Sequence, residues 1–345
     1  MAYTYNLTIG IPCYNSELYL RECLNSVLRQ KGEDVQHGGI EIICVDDAST
    51  DKHTTEILSK YESKHNNIKV FQHAKNRGVS AARNTIIENS TGKKIMFLDS
   101  DDYLAGEYNL QTLYSRSYAL PDIGMTSGSM LKRTDDKGVY MPESWKEYYI
   151  TDKDMNMEGK QTILLWNDKQ ISSCNKLFDG KVVRESIRFD TTYTYFEDVK
   201  FVADYVIKMP FTRALYTPEC KYVYRKHPAS AVNKLDSAER GMRIVEFYAN
   251  QMCYYLDLLE KCQKEFGVDS VAYKAILEQL LKNIGKMRKA QTSGHTRELM
   301  NSILKWMPPQ CPECAGRCSI ECSNHRTLDC CLTKAKALMA DGRSK

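Results

Sequence analysis

The sequence has 345 residues, with 48 lysines and arginines against 44 aspartates and glutamates. So even a balance excludes a strongly basic nucleic-acid groove and argues against nucleic-acid partners, while it allows a weakly basic patch at an anionic membrane. No run approaches the ~18 consecutive apolar residues of a spanning helix, and the N-terminus enters a strand pattern with no signal-peptide core, so the protein is expected to be cytoplasmic, at most peripheral on the cytosolic face of the membrane.

Leu7, Ile9 and Ile11 mark a first strand, and Leu20, Cys23, Leu24, Val27 and Leu28 then recur at helical spacing behind a cap at Asn15 or Ser16. Glu41–Val45 reads as a second strand; Ile57, Leu58 and Tyr61 mark a helix. Ile68–Phe71 is a third strand, Val79–Asn89 a helix and Lys94–Leu98 a fourth strand. This alternation predicts an α/β fold: a Rossmann-like, mostly parallel sheet with helices on both faces.

Beyond about residue 105 the alternation fades. A helix is expected around Tyr108–Ala119 and a strand around Ile123–Ser129, whereas Thr134–Glu158 is polar, Tyr-rich and Met-rich like a loop region. From Ser237 the pattern is helical: Val245, Tyr248, Met252, Tyr255, Leu256 and Leu259 form one stripe, and Ile276, Leu277, Leu280, Leu281 and Ile284 another. Such stripes fit an ordinary core and leave homodimerisation or membrane docking open. Seven of the thirteen cysteines are scattered singly between Cys13 and Cys262, as reduced core thiols would be.

Three polar clusters end predicted strands: Pro12-Cys13-Tyr14-Asn15, Asp46-Asp47 and Asp99-Ser100-Asp101. The C-terminal edge of an open parallel sheet is where such folds bind ligands. In an extended segment residues i and i+2 share a side, so Asp99 and Asp101 suit a hard divalent ion, magnesium or manganese, that takes its remaining ligands from substrate phosphates. Asp101 is the better direct ligand, with Asp99 orienting ribose or a metal-bound water. The Asp46–Asp51 segment has carboxylates able to accept from a base N–H and ribose hydroxyls, although turn and helix-cap chemistry explains it equally well.

The motifs Ile11-Pro12-Cys13-Tyr14-Asn15, Val45-Asp46-Asp47-Ala48-Ser49-Thr50-Asp51, Asn76-Arg77-Gly78-Val79-Ser80-Ala81-Ala82-Arg83-Asn84 and Leu98-Asp99-Ser100-Asp101-Asp102 stand in one order. Cys174-Asn175-Lys176-Leu177-Phe178, Phe196-Glu197-Asp198 and Tyr222-Val223-Tyr224-Arg225-Lys226-His227 follow. As a set they resemble a family 2 glycosyltransferase with the GT-A fold, of the bacterial polysaccharide or cell-surface glycan type. The resemblance implies a nucleotide-sugar-binding half over 1–105 and an acceptor-side half over 106–235. A helical region, 236–307, and a Cys-rich tail, 308–345, would follow.

The same resemblance implies residue roles. Pro12 and Tyr14 would border the nucleobase, Tyr14 by stacking, and Asp47 would accept from the base N–H, with Asp46 supporting it or the ribose and uracil as the expected base. Asn15, Asn76, Gly78 and Ser100 belong to the nucleotide-sugar side, Asn76 and Gly78 by shaping a loop. Arg83 would lie near the pyrophosphate, where a permanent cation suits two phosphates, or else be a surface arginine. Metal ligation would fall to Asp101, Asp99 and His227, with Arg225 among the groups that assist the departing diphosphate. His227 also fits a surface histidine beside a proline turn, and Lys176 fits either a substrate contact or a framing role. Asp198 would be the catalytic base of a single inverting displacement on a glycan or lipid-linked acceptor. A catalytically inactive binding or scaffold protein and a nucleotidyltransferase are the alternatives.

The tail departs from the family. Cys311-x₂-Cys314-x₃-Cys318-x₃-Cys322, then His325 and Cys330-Cys331, follows Pro308-Pro309. Cys311, Cys314, Cys318 and Cys322 fit a structural zinc that would organise a segment too poor in apolar residues for its own core. An iron–sulfur cluster, disulfides or a bare thiol tail remain open.

Overall fold

The computed structural model describes residues 4–36, 39–134, 137–140, 155–167, 172–227 and 237–291. They divide into two compact units, one from Met1–Thr191 and Phe201–Ser230, the other from Thr192–Lys200 and Ala231–Lys345.

The first unit begins β1 (Tyr5–Cys13), α1 (Leu20–Leu28), β2 (Ile40–Asp46), α2 (Lys52–Lys64), β3 (Ile68–Gln72), α3 (Val79–Asn89) and β4 (Gly92–Phe97). Every residue of β2 is buried, as expected of a central parallel strand covered on both faces. The two carboxylates this buries are answered by donors; at the opposite end of the sheet from Asp46, Glu41 Oε1 accepts from Thr8 Oγ1 at 2.6 Å and Gly92 N at 3.1 Å. Asp51 caps α2, accepting from Thr54 N, so the helix-cap reading of the Asp46–Asp51 segment holds for its last residue. The cap expected for α1 at Asn15 or Ser16 is corrected: Tyr19 occupies that position without a side-chain capping bond.

The chain continues through β5 (Tyr103–Ala105), α4 (Asn109–Arg116), β6 (Ile123–Thr134), β7 (Gly138–Tyr140), β8 (Met155–Glu158), α5 (Lys160–Asn167), β9 (Lys176–Asp179), α6 (Gly180–Ser186), α7 (Glu197–Lys208) and β10 (Arg213–Arg225). Strands β7 and β8 lie inside the stretch read from sequence as loop. One sheet runs in the order β3-β2-β1-β4-β9-β6-β10-β5, with β7 on β6 and β8 on β10. Its first four strands are parallel. Antiparallel β9 then separates β4 from β6, β6 and β10 pair in parallel, and β5 closes the edge antiparallel to β10. The second half is therefore mixed, where the sequence pattern suggested mostly parallel pairing.

Register sets up the site. Cys13 pairs with Asp46 and Gly10 with Phe97, so the ends of β1, β2 and β4 fall on one edge. Behind it, Phe189 stacks on Phe201 at 4.0 Å and Phe97 meets both edge-on, at 5.1 and 5.6 Å. Each such buried ring contributes roughly 1.5–3 kcal/mol by burial alone. Asn84 fastens α3 to this cluster, donating to Phe189 O at 2.9 Å and accepting from Phe189 N at 2.8 Å.

In the second unit, α8 (Ser237–Phe266) and α9 (Val271–Gln291) pack together, burying Met252, Tyr255 and Leu259 with Ile276, Leu277 and Leu280. Seven described cysteines, Cys13 to Cys262, are all buried, and no disulfide forms among the described residues. Among the described residues no helix is long and apolar enough to cross a membrane.

Candidate functional site

The structure brings the three polar clusters together. Asn15, at φ +50°, accepts on Oδ1 from Thr50 N at 2.8 Å and Asp51 N at 3.1 Å, which staples the loop after β1 to the loop after β2. Ser16 N donates to Thr54 Oγ1 at 2.8 Å, and Ser16 Oγ meets Ser100 Oγ at 2.6 Å, which adds the loop after β4. Pro12 is buried within β1, while the Tyr14 ring stays 44% exposed at the edge. Ser100 is turned inward.

Asp46 and Asp47 are 1% and 3% exposed. Asp46 accepts from Ser49 N at 2.9 Å, Thr55 Oγ1 at 3.3 Å and Gln72 Nε2 at 3.2 Å. Asp47 accepts from Arg77 N at 2.9 Å and Gly78 N at 2.7 Å, and its Oδ1 lies 2.6 Å from His73 Nδ1. His73 Nε2 continues to Thr85 Oγ1 at 2.9 Å. Both carboxylates thus hold loops with their lone pairs, and Asp47 gathers the His73–Gly78 loop against α3. Gly78 sits at φ +86°, a conformation that favours glycine, and Asn76 beside it is exposed.

Arg83 is 4% exposed, which corrects the surface alternative. Its Nη2 donates to Asp99 Oδ1 at 2.8 Å, and its guanidinium lies 5.2 Å from the Phe189 ring centroid. Asp99 keeps about a third of its side chain open, so the pair presents a cation and a carboxylate together at the sheet edge.

Two residues on, Asp101 Oδ2 lies 3.0 Å from His227 Nε2. His227 is buried, correcting the surface-histidine alternative. Burial, then Asp99, pushes the Asp101 carboxyl upward, with His227 opposing. Asp102 is pushed up further by the same burial and by both neighbours; it accepts from Tyr222 OH at 2.6 Å and Arg225 N at 2.7 Å. Arg225 differs from its expected place toward a diphosphate. It is buried, its guanidinium lies over the Tyr19 and Tyr103 rings at 4.6 and 5.3 Å, Nε donates to Asp101 O at 3.0 Å, and Glu22 takes the charge.

A divalent ion fits this donor set. Two adjacent ligands of an octahedral ion at about 2.1 Å stand roughly 3 Å apart, the separation Asp101 and His227 already have. Among the described residues no group of three or more His, Cys, Asp and Glu could hold a metal unaided, so substrate oxygens would complete the shell.

Asp198 stands in the first turn of α7, accepting from Val199 N at 2.8 Å, within the segment that belongs to the helical unit. That segment is gripped by α8: Thr194 N donates to Asn250 Oδ1 at 3.2 Å, Tyr195 and Phe196 pack on Phe247 at 5.7 and 5.0 Å, and Phe196 stacks on Tyr254 at 6.0 Å. Phe196 has φ +69°, a backbone outlier immediately before Glu197 and Asp198. Lys176 is buried with Nζ on Ser172 O, the framing role, and Asn175 Nδ2 ties Ser129 O at 2.7 Å. Cys311, Cys314, Cys318 and Cys322 lie outside the described residues.

Sequence reading missed Tyr19, Glu22, His73, Tyr103 and Arg133, and placed Tyr222 in a motif without its partner. Each acts through a partner distant in sequence, such as Tyr222 with Asp102, and no local spacing marks that.

A family model described as "Glycosyl transferase family 2" matches residues 8–185, more than half the chain. Poly(ribitol-phosphate) beta-glucosyltransferase of Bacillus spizizenii is 33% identical over 205 residues, 59% of this chain and 30% of that protein, so the chain spans only part of that relative's length. Staphylococcus aureus TarS 1–349 in complex with UDP-GlcNAc superposes with TM-score 0.62 at 20% identity, covering 98% of this chain and 89% of the other. The mannosyltransferase PcManGT of Pyrobaculum calidifontis, in complex with GDP-Man and Mn²⁺, gives TM-score 0.53 at 16% identity, covering 98% and 81%.

Proposed function

The chain belongs to glycosyl transferase family 2 and has the GT-A fold, and we propose that it moves a sugar from a nucleotide-diphospho-sugar to a hydroxyl of a cell-envelope glycan or lipid-linked glycan. The observation that carries this is the convergence on one sheet edge of exposed Tyr14, the Arg83–Asp99 pair and the Asp101–His227 pair: a ring for a base, a cation for a diphosphate and two donors for a divalent ion. UDP is favoured as the carrier because TarS is the neighbour with the highest TM-score reported above and its complex holds UDP-GlcNAc. The acceptor class follows the poly(ribitol-phosphate) relative.

In this reading Tyr14 stacks on the base, and Asp47 shapes the base site through the His73–Gly78 loop, its own oxygens being engaged. Arg83 faces the diphosphate, opposing charge that grows as the bond to the sugar breaks. Asp198 takes the acceptor proton while that oxygen attacks the anomeric carbon and the nucleoside diphosphate leaves from the opposite face, inverting the configuration. A placed base of this kind is typically worth about 10²- to 10⁴-fold. Manganese or magnesium held by Asp101 and His227, with Asp99 beside them, would supply Lewis acidity toward the diphosphate.

A thermal-shift panel of nucleotide-sugars with manganese tests the reading. Ligand at 100-fold its Kd adds about 2.7 kcal/mol of stability, an easily read shift. Stabilisation by UDP-sugars that is lost in Asp101→Ala supports it; no response to any nucleotide-sugar contradicts it.

A further inference from the structure

We infer that Tyr19 is a positioning residue for the divalent-ion ligand His227, itself held by a ladder of stacked cations and rings running from Arg133 through Tyr103 and Arg225. Tyr19 stands where a helix N-cap favours Ser, Thr, Asp or Asn, yet makes no capping bond, so local helix chemistry does not account for it. Its ring lies 4.6 Å from that of His227, tilted by 50°.

Tyr19 is held in turn by cations and a second ring. The Arg225 guanidinium lies 4.6 Å from its ring centroid and 5.3 Å from that of Tyr103, and Arg133 lies 5.7 Å from Tyr103. Glu22, one turn along α1, takes ion pairs from both arginines, with Arg133 Nη1 at 3.0 Å. Four rungs thus alternate charge and ring before the imidazole, and a desolvated cation over a ring face is attracted by its quadrupole. Lys226 N donates to Arg133 O at 2.9 Å, which fixes the backbone beside His227, and the imidazole meets both Asp101 Oδ2 and the Tyr19 ring. Arg225 also bonds Asp101 O and, through its backbone, Asp102, so the cation that stacks on Tyr19 also ties down the segment carrying Asp101. Groups that orient a metal-ligating histidine typically change metal affinity about 10- to 100-fold when lost.

This rests on the metal reading proposed above. The test titrates UDP into the full chain by calorimetry with and without Mn²⁺ and takes the manganese-dependent gain in affinity as its readout. In Tyr19→Leu the gain should fall at least about tenfold while manganese-free UDP affinity stays unchanged, and Tyr19→Phe, which keeps the ring, should restore it. Glu22→Gln, at a half-exposed position, should reduce the gain in the same direction and decides the matter should Tyr19→Leu not fold. A wild-type gain in the deciding variant overturns the inference. Asp101→Asn separates the two claims: if it keeps the gain, the metal reading falls and the inference with it; if only Asp101→Asn loses it, the inference alone falls.

Discussion

Replacing Asp47 by alanine should remove the acceptor for one histidine and two backbone N–H groups at once. The carboxylate is 4% exposed and takes His73 Nδ1 at 2.6 Å, Gly78 N at 2.7 Å and Arg77 N at 2.9 and 3.1 Å on its two oxygens. Hydrogen bonds to a charged group contribute about 1.5–3 kcal/mol each, but these share one carboxylate and do not add. Breaking a buried set by removing one side costs roughly 3–5 kcal/mol, the expected loss for Asp47→Ala. Urea unfolding reads it as a lower midpoint at unchanged slope, and hydrogen exchange should show the Arg77 and Gly78 amides losing protection. A loss under about 1 kcal/mol with both amides still protected would refute the reasoning and free this carboxylate to read the base directly.

Four further outcomes follow. Gly78→Ala meets no atom within 4 Å of its new Cβ, so its cost is that of the φ +86° backbone alone, about 1–3 kcal/mol by urea unfolding; a neutral substitution contradicts the assignment. Arg83→Met should weaken UDP at least about tenfold and leave uridine binding unchanged, and equal losses for both would place Arg83 away from the diphosphate. Asp101 is raised above its ordinary value by burial and Asp99, so its contribution to stability is complete below the unfolded value of about 3.9 and is lost as pH rises through the higher folded value. Metal-free protein should therefore lose less stability between acid and neutral pH in Asp101→Asn than in wild type, and identical slopes argue against the shift. Asn250→Leu strips Thr194 N of its acceptor and should cost about 1–3 kcal/mol and unprotect that amide, whereas retained protection breaks the link between α8 and the Asp198 segment.

The first half of the fold was legible because its strands carry short apolar runs, those of β1 and β2 almost wholly buried, and each helix follows at short range. Val79–Asn89 came out with its boundaries intact, since Gly78 and Ser90 bracket it. The second half was not. Strand β9 has four residues, and its place between β4 and β6 depends on pairings such as Ile95 with Phe178, which no local pattern encodes. The polar edge was legible as a set, because Asp47 follows β2 and Asp99 and Asp101 follow β4 of the same sheet. How each carboxylate is engaged was hidden, since that depends on partners such as His73, Arg83 and His227, up to 126 residues away. Arg225 illustrates the difference: its motif suggests a substrate contact, and only the fold places Glu22 beside it.

The central claim, sugar transfer with Asp198 as the base, is tested most directly by following product formation from UDP-sugars with manganese and a poly(ribitol-phosphate) acceptor, with the anomeric configuration of the product read by NMR. Wild type should form product of inverted configuration and Asp198→Asn should form none while still binding UDP. Product of retained configuration, or undiminished turnover by Asp198→Asn, would contradict the account.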